Sequence, residues 1–239
     1  MADSRVALGR TGRWLIKALV SVAAGLVVIN VVYFVVRFGL GHESVRVPQL
    51  FNLNYEENLP ASLSGSMLAI VALLSLAIGL LRRRRRASES VLWFVLATGL
   101  FYFCIDELTQ IHEQLSEPMR DTFGLTGIFY FAWVVPAIAV LAALLPIAVK
   151  FTRRLEPRVR LLFILATLLY VGGAIGIEMV GGYIAESRGF NDPWYVAAAT
   201  IEESAEIAGI LVLMYALLIK LQIETTAGSS APTTPTAAP

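Results

Sequence analysis

The chain is poor in the residues from which most soluble active sites are built. It has two histidines, one cysteine and only 15% charged side chains among 239 residues, of which 57% are hydrophobic. One cysteine, Cys104, excludes an intrachain disulfide and leaves the redox compartment unread. No G-x-S-x-G elbow, P-loop or glycine-rich dinucleotide fingerprint occurs, which removes the common serine-hydrolase and nucleotide-binding readings. Soluble domains carry about a quarter charged residues. That deficit and a mean hydropathy of +0.70 exclude an ordinary soluble domain and indicate an integral membrane protein. The net charge of +1 carries no message, because the charges are segregated along the chain.

What is present is long apolar runs. A bilayer core of about 30 Å needs roughly 20 helical residues, and six stretches meet that length: residues 14–38, 63–81, 91–111, 128–149, 161–184 and 194–221. The expected fold is an all-α bundle of six membrane spans. Residues 1–13 form a cytoplasmic N-terminus and 222–239 a polar, Pro-rich, disordered cytoplasmic tail. The first run has a basic lead-in but is too long for a signal peptide, so it is expected to remain as a span. The run Arg82 to Arg86 and the group Lys150, Arg153, Arg154, Arg158 and Arg160 fall on the N-terminal side of the membrane. The positive-inside tendency then puts both termini in the cytoplasm, in the cell inner membrane. The arginine run reads as a topology anchor on anionic lipid, not as a nucleic-acid site. Asn191 and Asp192 are placed to cap the sixth span, with Pro193 at its first position, and Pro136 and Pro146 are expected to kink the fourth.

Acids interrupt this apolar pattern in one layer. At about 1.5 Å per residue, Asp106 and Glu107 lie roughly 22 Å up the third span, and Glu178 roughly 25 Å up the fifth. Glu202, Glu203 and Glu206 lie about 12 to 18 Å below the outer end of the sixth. His112 and Glu113 fall near the outer interface. A carboxylate facing lipid costs a few kcal/mol. These groups must therefore face inward and be protonated, paired, solvated or bound to metal. This layer contains no lysine or arginine, Arg120 and Arg188 belonging to the outer loops, so pairing with a base within the chain is a poor explanation. In a regular helix Asp106, Gln110, Glu113 and Glu117 form one stripe, and Glu202 and Glu206 another. A π-bulge would bring Glu107 and His112 onto one face.

Carboxylates with a single imidazole suit a divalent metal such as zinc, iron or manganese. The expected ligands are Asp106, Glu107, His112, Glu113, Glu178, Glu202, Glu203 and Glu206. The ferritin-like pair of Glu-x-x-His motifs is missing. His42 reads as a loop residue, and "NYEENLP" (54–60), with Glu56 and Glu57, as a solvated loop over the acidic layer. Cys104 reads as a small packing residue. The glycines around Glu178 suit close helix contact, and Tyr170 and Tyr183 suit interface positions.

"ENLP" before the second span, "DELTQIHE" in the third and "EESAE" in the sixth resemble a group of uncharacterised bacterial polytopic membrane proteins, a resemblance that implies no activity. Three functions follow from the residues. The leading one is a membrane metalloprotein, hydrolytic or oxidative if an enzyme. The second is a proton or cation translocator, disfavoured because the inner halves of the spans carry no comparable acid. The third is an accessory subunit whose acids pair with a membrane partner or a second copy.

Overall fold

The computed structural model describes residues 8–42, 44–55, 57–87 and 89–229, and among these every regular element is helical. Helix α1 (Arg10–Phe34) runs into a π turn, Val35–Gly39. It is followed by α2 (Leu59–Arg84), α3 (Ser90–Thr109), a short α4 (Ile111–Phe123) and α5 (Val134–Thr152). Helix α6 (Pro157–Val171) continues through a second π turn, Gly172–Ile177, into α7 (Glu178–Arg188), and α8 (Pro193–Ser229) closes the chain. Six of these helical stretches are long and apolar enough to cross a membrane: Arg10–Gly39, Leu59–Arg84, Ser90–Thr109, Val134–Thr152, Pro157–Arg188 and Pro193–Thr226. That is the architecture of a multi-pass membrane protein.

Helices α2 and α8 form the centre, with α3 packed on α2 and with α1 and α6 on α8. Met67, Leu68, Val71 and Ile78 of α2 meet Ile207, Ile210, Met214 and Leu217 of α8, all at most 2% exposed. Trp93 of α3 sets its ring edgewise against Phe151 and Phe163, 5.0 and 6.1 Å between centroids, joining α3, α5 and α6. The outer faces are as apolar as the inner ones: Trp14, Leu161 and Leu168 are each more than 65% exposed. In water such faces would collapse together, whereas in lipid they cost nothing and packing depends on close fit. Gly209 supplies that fit. A methyl group there would sit 2.8 Å from the Tyr170 backbone nitrogen, so α6 and α8 cross almost backbone to backbone.

The arginine-rich end is closed by ion pairs. Glu224 of α8 accepts from Arg82 at 2.6 Å and from Arg85 at 3.0 Å, and lies 2.8 Å from Lys220. Lys220, 3% exposed, also reaches Glu156 at 2.6 Å, and Glu89 pairs with Arg82. This network corrects two expectations. Arg82 and Arg85 are structural partners as well as end-of-span cations. Residues 222–229, expected in the tail, continue α8, because Glu224 is buried among three basic groups and keeps the last turns helical. The remainder of the expected tail, 230–239, and residues 1–7 lie outside the described residues.

The opposite end is closed by asparagines. Asn58 caps α2 through Ala61 N–H at 3.1 Å and donates to the carbonyls of Gln49, Asn52 and Tyr55. Asn30, 1% exposed in α1, accepts from Leu53 N–H at 3.1 Å and donates to Phe51 O at 2.9 Å. The segment just before the expected solvated loop is therefore tied to α1 by Asn30 and to the start of α2 by Asn58, each of which satisfies backbone that would otherwise be orphaned. Among its acids, Glu57 is exposed, and Glu56 lies outside the described residues. Pro193 opens α8 after Asp192, whose Oδ1 accepts from Trp194 N–H at 2.9 Å, as the capping pattern predicts.

Candidate functional site

The third span does not continue as one helix through "DELTQIHE". Gln110 takes a left-handed conformation, φ 56°, ending α3 and starting α4. The expected stripe through Asp106, Gln110, Glu113 and Glu117 is thereby broken. The reason is visible in Asp106. Its Oδ1 accepts the His112 backbone N–H at 3.0 Å, and its Oδ2 lies 2.8 Å from His112 Nδ1. A carboxylate that captures both a backbone N–H in the first turn of α4 and the imidazole favours the reversal over helical continuation. His112 thus reaches Asp106 through a break at Gln110, and the π turns occur elsewhere, at Val35–Gly39 and Gly172–Ile177.

The fifth span carries one of those π turns immediately before Glu178. Gly173 lies in it, and a methyl group there would be 2.9 Å from the Glu202 carbonyl and 3.0 Å from Glu206 Cγ. The wide turn and the bare glycine let α6–α7 lie against α8, and the Glu178 and Glu202 carboxyls come within interacting reach of each other. A carboxyl–carboxyl hydrogen bond needs a proton between its oxygens, because carboxylates only accept.

Trp133 joins the two pairs. Its indole Nε1–H donates to Glu178 Oε1 at 2.9 Å, and its ring packs on His112 with 4.7 Å between centroids. Asp106, His112, Trp133, Glu178 and Glu202, drawn from α3, α4, the start of α5, α7 and α8, form a continuous chain of contacts. Glu107 is half-buried beside Asp106 and His112, and interacts electrostatically with both. Glu203 and Glu206 bear on Glu202 and on Tyr170, whose ring stacks on Phe103 at 5.7 Å. Glu113 is exposed on α4, near enough to Glu178 and Tyr195 to act on both. The expected ligands therefore share one end of the bundle, with Asp106 hydrogen-bonded to His112, Glu178 facing Glu202 and the others beside them. Among the described residues, no three His, Cys, Asp or Glu side chains stand so as to hold a metal ion. His42 is exposed in the first connection, its N–H on Val36 O.

Trp133 is the residue that the sequence reading missed. In "FYFAW" it looks like the body of a fourth span beginning at residue 128. In the structure 127–129 is a 3₁₀ turn and α5 begins only at Val134, which frees the indole to turn inward. Pro136 consequently falls in the first turn of α5, where no donor is needed, and Pro146 lies inside it.

Neither a curated protein nor a solved structure matches the chain. A family profile, Domain of unknown function (DUF8692), matches residues 15–221, which reach into all six apolar helices, and the chain belongs to that family.

Proposed function

We propose that this is an integral membrane protein with an acid–base site at its acid-rich end, in which Asp106 orients His112 and Glu178 shares a proton with Glu202. The contact between Glu178 and Glu202 carries the reading. Two carboxyls drawn together on separate helices in an apolar bundle hold one proton and can release it to a bound group. Asp106 fixes the orientation of the His112 ring, the role a carboxylate plays beside a general base. By the positive-inside tendency, this end faces outward from the inner membrane. Apolar Met67, Leu68, Val71, Ile210 and Met214 separate the site from the ion pairs at the other end. The reading is therefore local proton transfer at one face, and not translocation across the bilayer.

The second reading, a divalent metal in place of the shared proton, is favoured by the company of Glu203, Glu206 and Glu113 around the same pair. As they stand, Glu178, Glu202 and His112 do not form a metal-holding group, so zinc, iron or manganese would have to draw them together, and would then supply Lewis acidity and a water of lowered pKa. One preparation separates the two. Infrared spectra of the protein in nanodiscs should show a protonated-carboxyl carbonyl band at neutral pH that vanishes in Glu202→Gln and in Glu178→Gln. A missing band, with a stoichiometric metal in the wild type that Glu202→Gln loses, would replace the first reading by the second.

A further inference from the structure

We infer that α4 is a hinged lid over the acid cluster, latched at both ends, and that a ligand reaches the cluster only when it lifts. This rests on the proposed site for what lies beneath the lid, but the geometry of the lid stands by itself.

Both ends of α4 are backbone reversals: Gln110 at φ 56° before it and Gly124 at φ 62° after it. A non-glycine residue in the left-handed region is uncommon, so the hinge at Gln110 persists because something nearby holds it. Two contacts do so. The first turn is latched by Asp106 to the backbone and ring of His112, at 3.0 and 2.8 Å. The last turn is latched by Arg120, whose guanidinium lies 4.4 Å from the centroid of the Tyr130 ring.

Between the latches α4 is two-faced. Ser116 is buried and His112 and Arg120 half-buried, while Glu113, Gln114, Leu115 and Glu117 are exposed. Its inner face carries His112 onto Trp133, and with it onto Glu178. Arg120 also donates to the Tyr130 carbonyl at 3.4 Å. A short helix with reversals at each end and two polar latches opens far more readily than a span packed along its length. Opening requires that Asp106 and the Trp133 ring release His112 and that Arg120 leave the ring and carbonyl of Tyr130. It also takes the imidazole away from the carboxyl pair, so the acid–base constellation is complete only when the lid is down.

The test is access, read by labelling Glu203→Cys with a membrane-impermeant maleimide in a Cys104→Ser background. Glu117→Cys serves as an open reference and Ser64→Cys, in the buried face of α2, as a closed one. The lid predicts slow labelling at position 203. Asp106→Asn and Arg120→Ala, each removing one latch, should speed it by about tenfold or more. Position 64 should stay slow. A bis-maleimide joining Arg120→Cys to Tyr130→Cys should fasten α4 and protect its amides from hydrogen exchange. Labelling at 203 as fast as at 117 in the parent, or rates unmoved by Asp106→Asn and Arg120→Ala, would overturn the lid. Should Asp106→Asn unfold the bundle, seen as rapid labelling at 64, Arg120→Ala at the far latch decides alone. Because access is measured and not protonation, the lid can stand where the proton-sharing reading fails, and the reverse.

Discussion

The two ends of the bundle handle their carboxylates in opposite ways. At the arginine-rich end, Glu89, Glu156 and Glu224 each meet a guanidinium or an ammonium. At the acid-rich end, Asp106, Glu178 and Glu202 meet an imidazole, an indole and one another. A buried charge with a permanent counter-charge is a fixed element of structure, and removing either partner leaves the other stranded. An acid whose partner is another acid or an imidazole has a proton to give or accept. The first end should therefore respond to mutation with lost stability, and the second with altered proton or metal binding at little loss of stability.

Breaking the paired end should give the largest effect. Lys220→Ala leaves Glu156 and Glu224 without their ammonium, and about 3–5 kcal/mol of stability should go. Unfolding titrations in detergent, beside Lys220→Arg, would show it; a loss under 1 kcal/mol would mean that the pairs are incidental. Next is Gly173→Ala, whose methyl must push against the Glu202 carbonyl. A loss of about 1–3 kcal/mol is expected, along with loss of the protonated-carboxyl band as Glu178 and Glu202 part.

Sharpening the comparison takes gentler changes. Trp133→Phe removes the N–H donated to Glu178 but keeps a ring on His112. It should cost roughly 1 kcal/mol and shift the carboxyl band without abolishing it. Glu202→Gln, at the acid-rich end, should move stability by less than Lys220→Ala does, because an amide can still hydrogen-bond to Glu178.

The smallest effect concerns pH at the paired end. The hydrogen bond from Arg82 holds the Glu89 carboxyl below its ordinary value, with burial opposing. A depressed carboxyl stabilises the fold at pH values above its unfolded pKa, about 4.3, and that contribution is lost as pH falls through the lower folded value. Glu89 is partly exposed, so roughly 1 kcal/mol or less is at stake. Glu89→Gln should flatten the decline in unfolding midpoint between pH 5 and 3; equal slopes would show that the pair contributes nothing.

The spans were legible because length and hydropathy are local properties, and the acids were legible because a carboxylate in an apolar run is conspicuous. The details that make the site were not. Nothing in "LTQIH" marks Gln110 as a reversal, since neither glycine nor proline stands there; Asp106 produces it through a contact that exists only once the chain has turned. Trp133 looked like one more apolar residue because its role depends on where α5 starts. Glu224 looked like tail because its partners, Arg82 and Arg85, lie far back in the sequence.

Helix α8 runs unbroken from the acid cluster to the ion-pair network, with Glu202 and Lys220 about 27 Å apart along its axis at roughly 1.5 Å per residue. Each residue turns a helix by about 100°, so a one-residue slip would replace Glu202 by Glu203 opposite Glu178. The same slip would swing Lys220 and Glu224 away from Glu156, Arg82 and Arg85. The ion pairs at one end thus fix the angle at which the far end is presented, in the way that a key sets the rotation of a shaft. That holds Glu202 at a fixed bearing toward Glu178 from the far end of one helix.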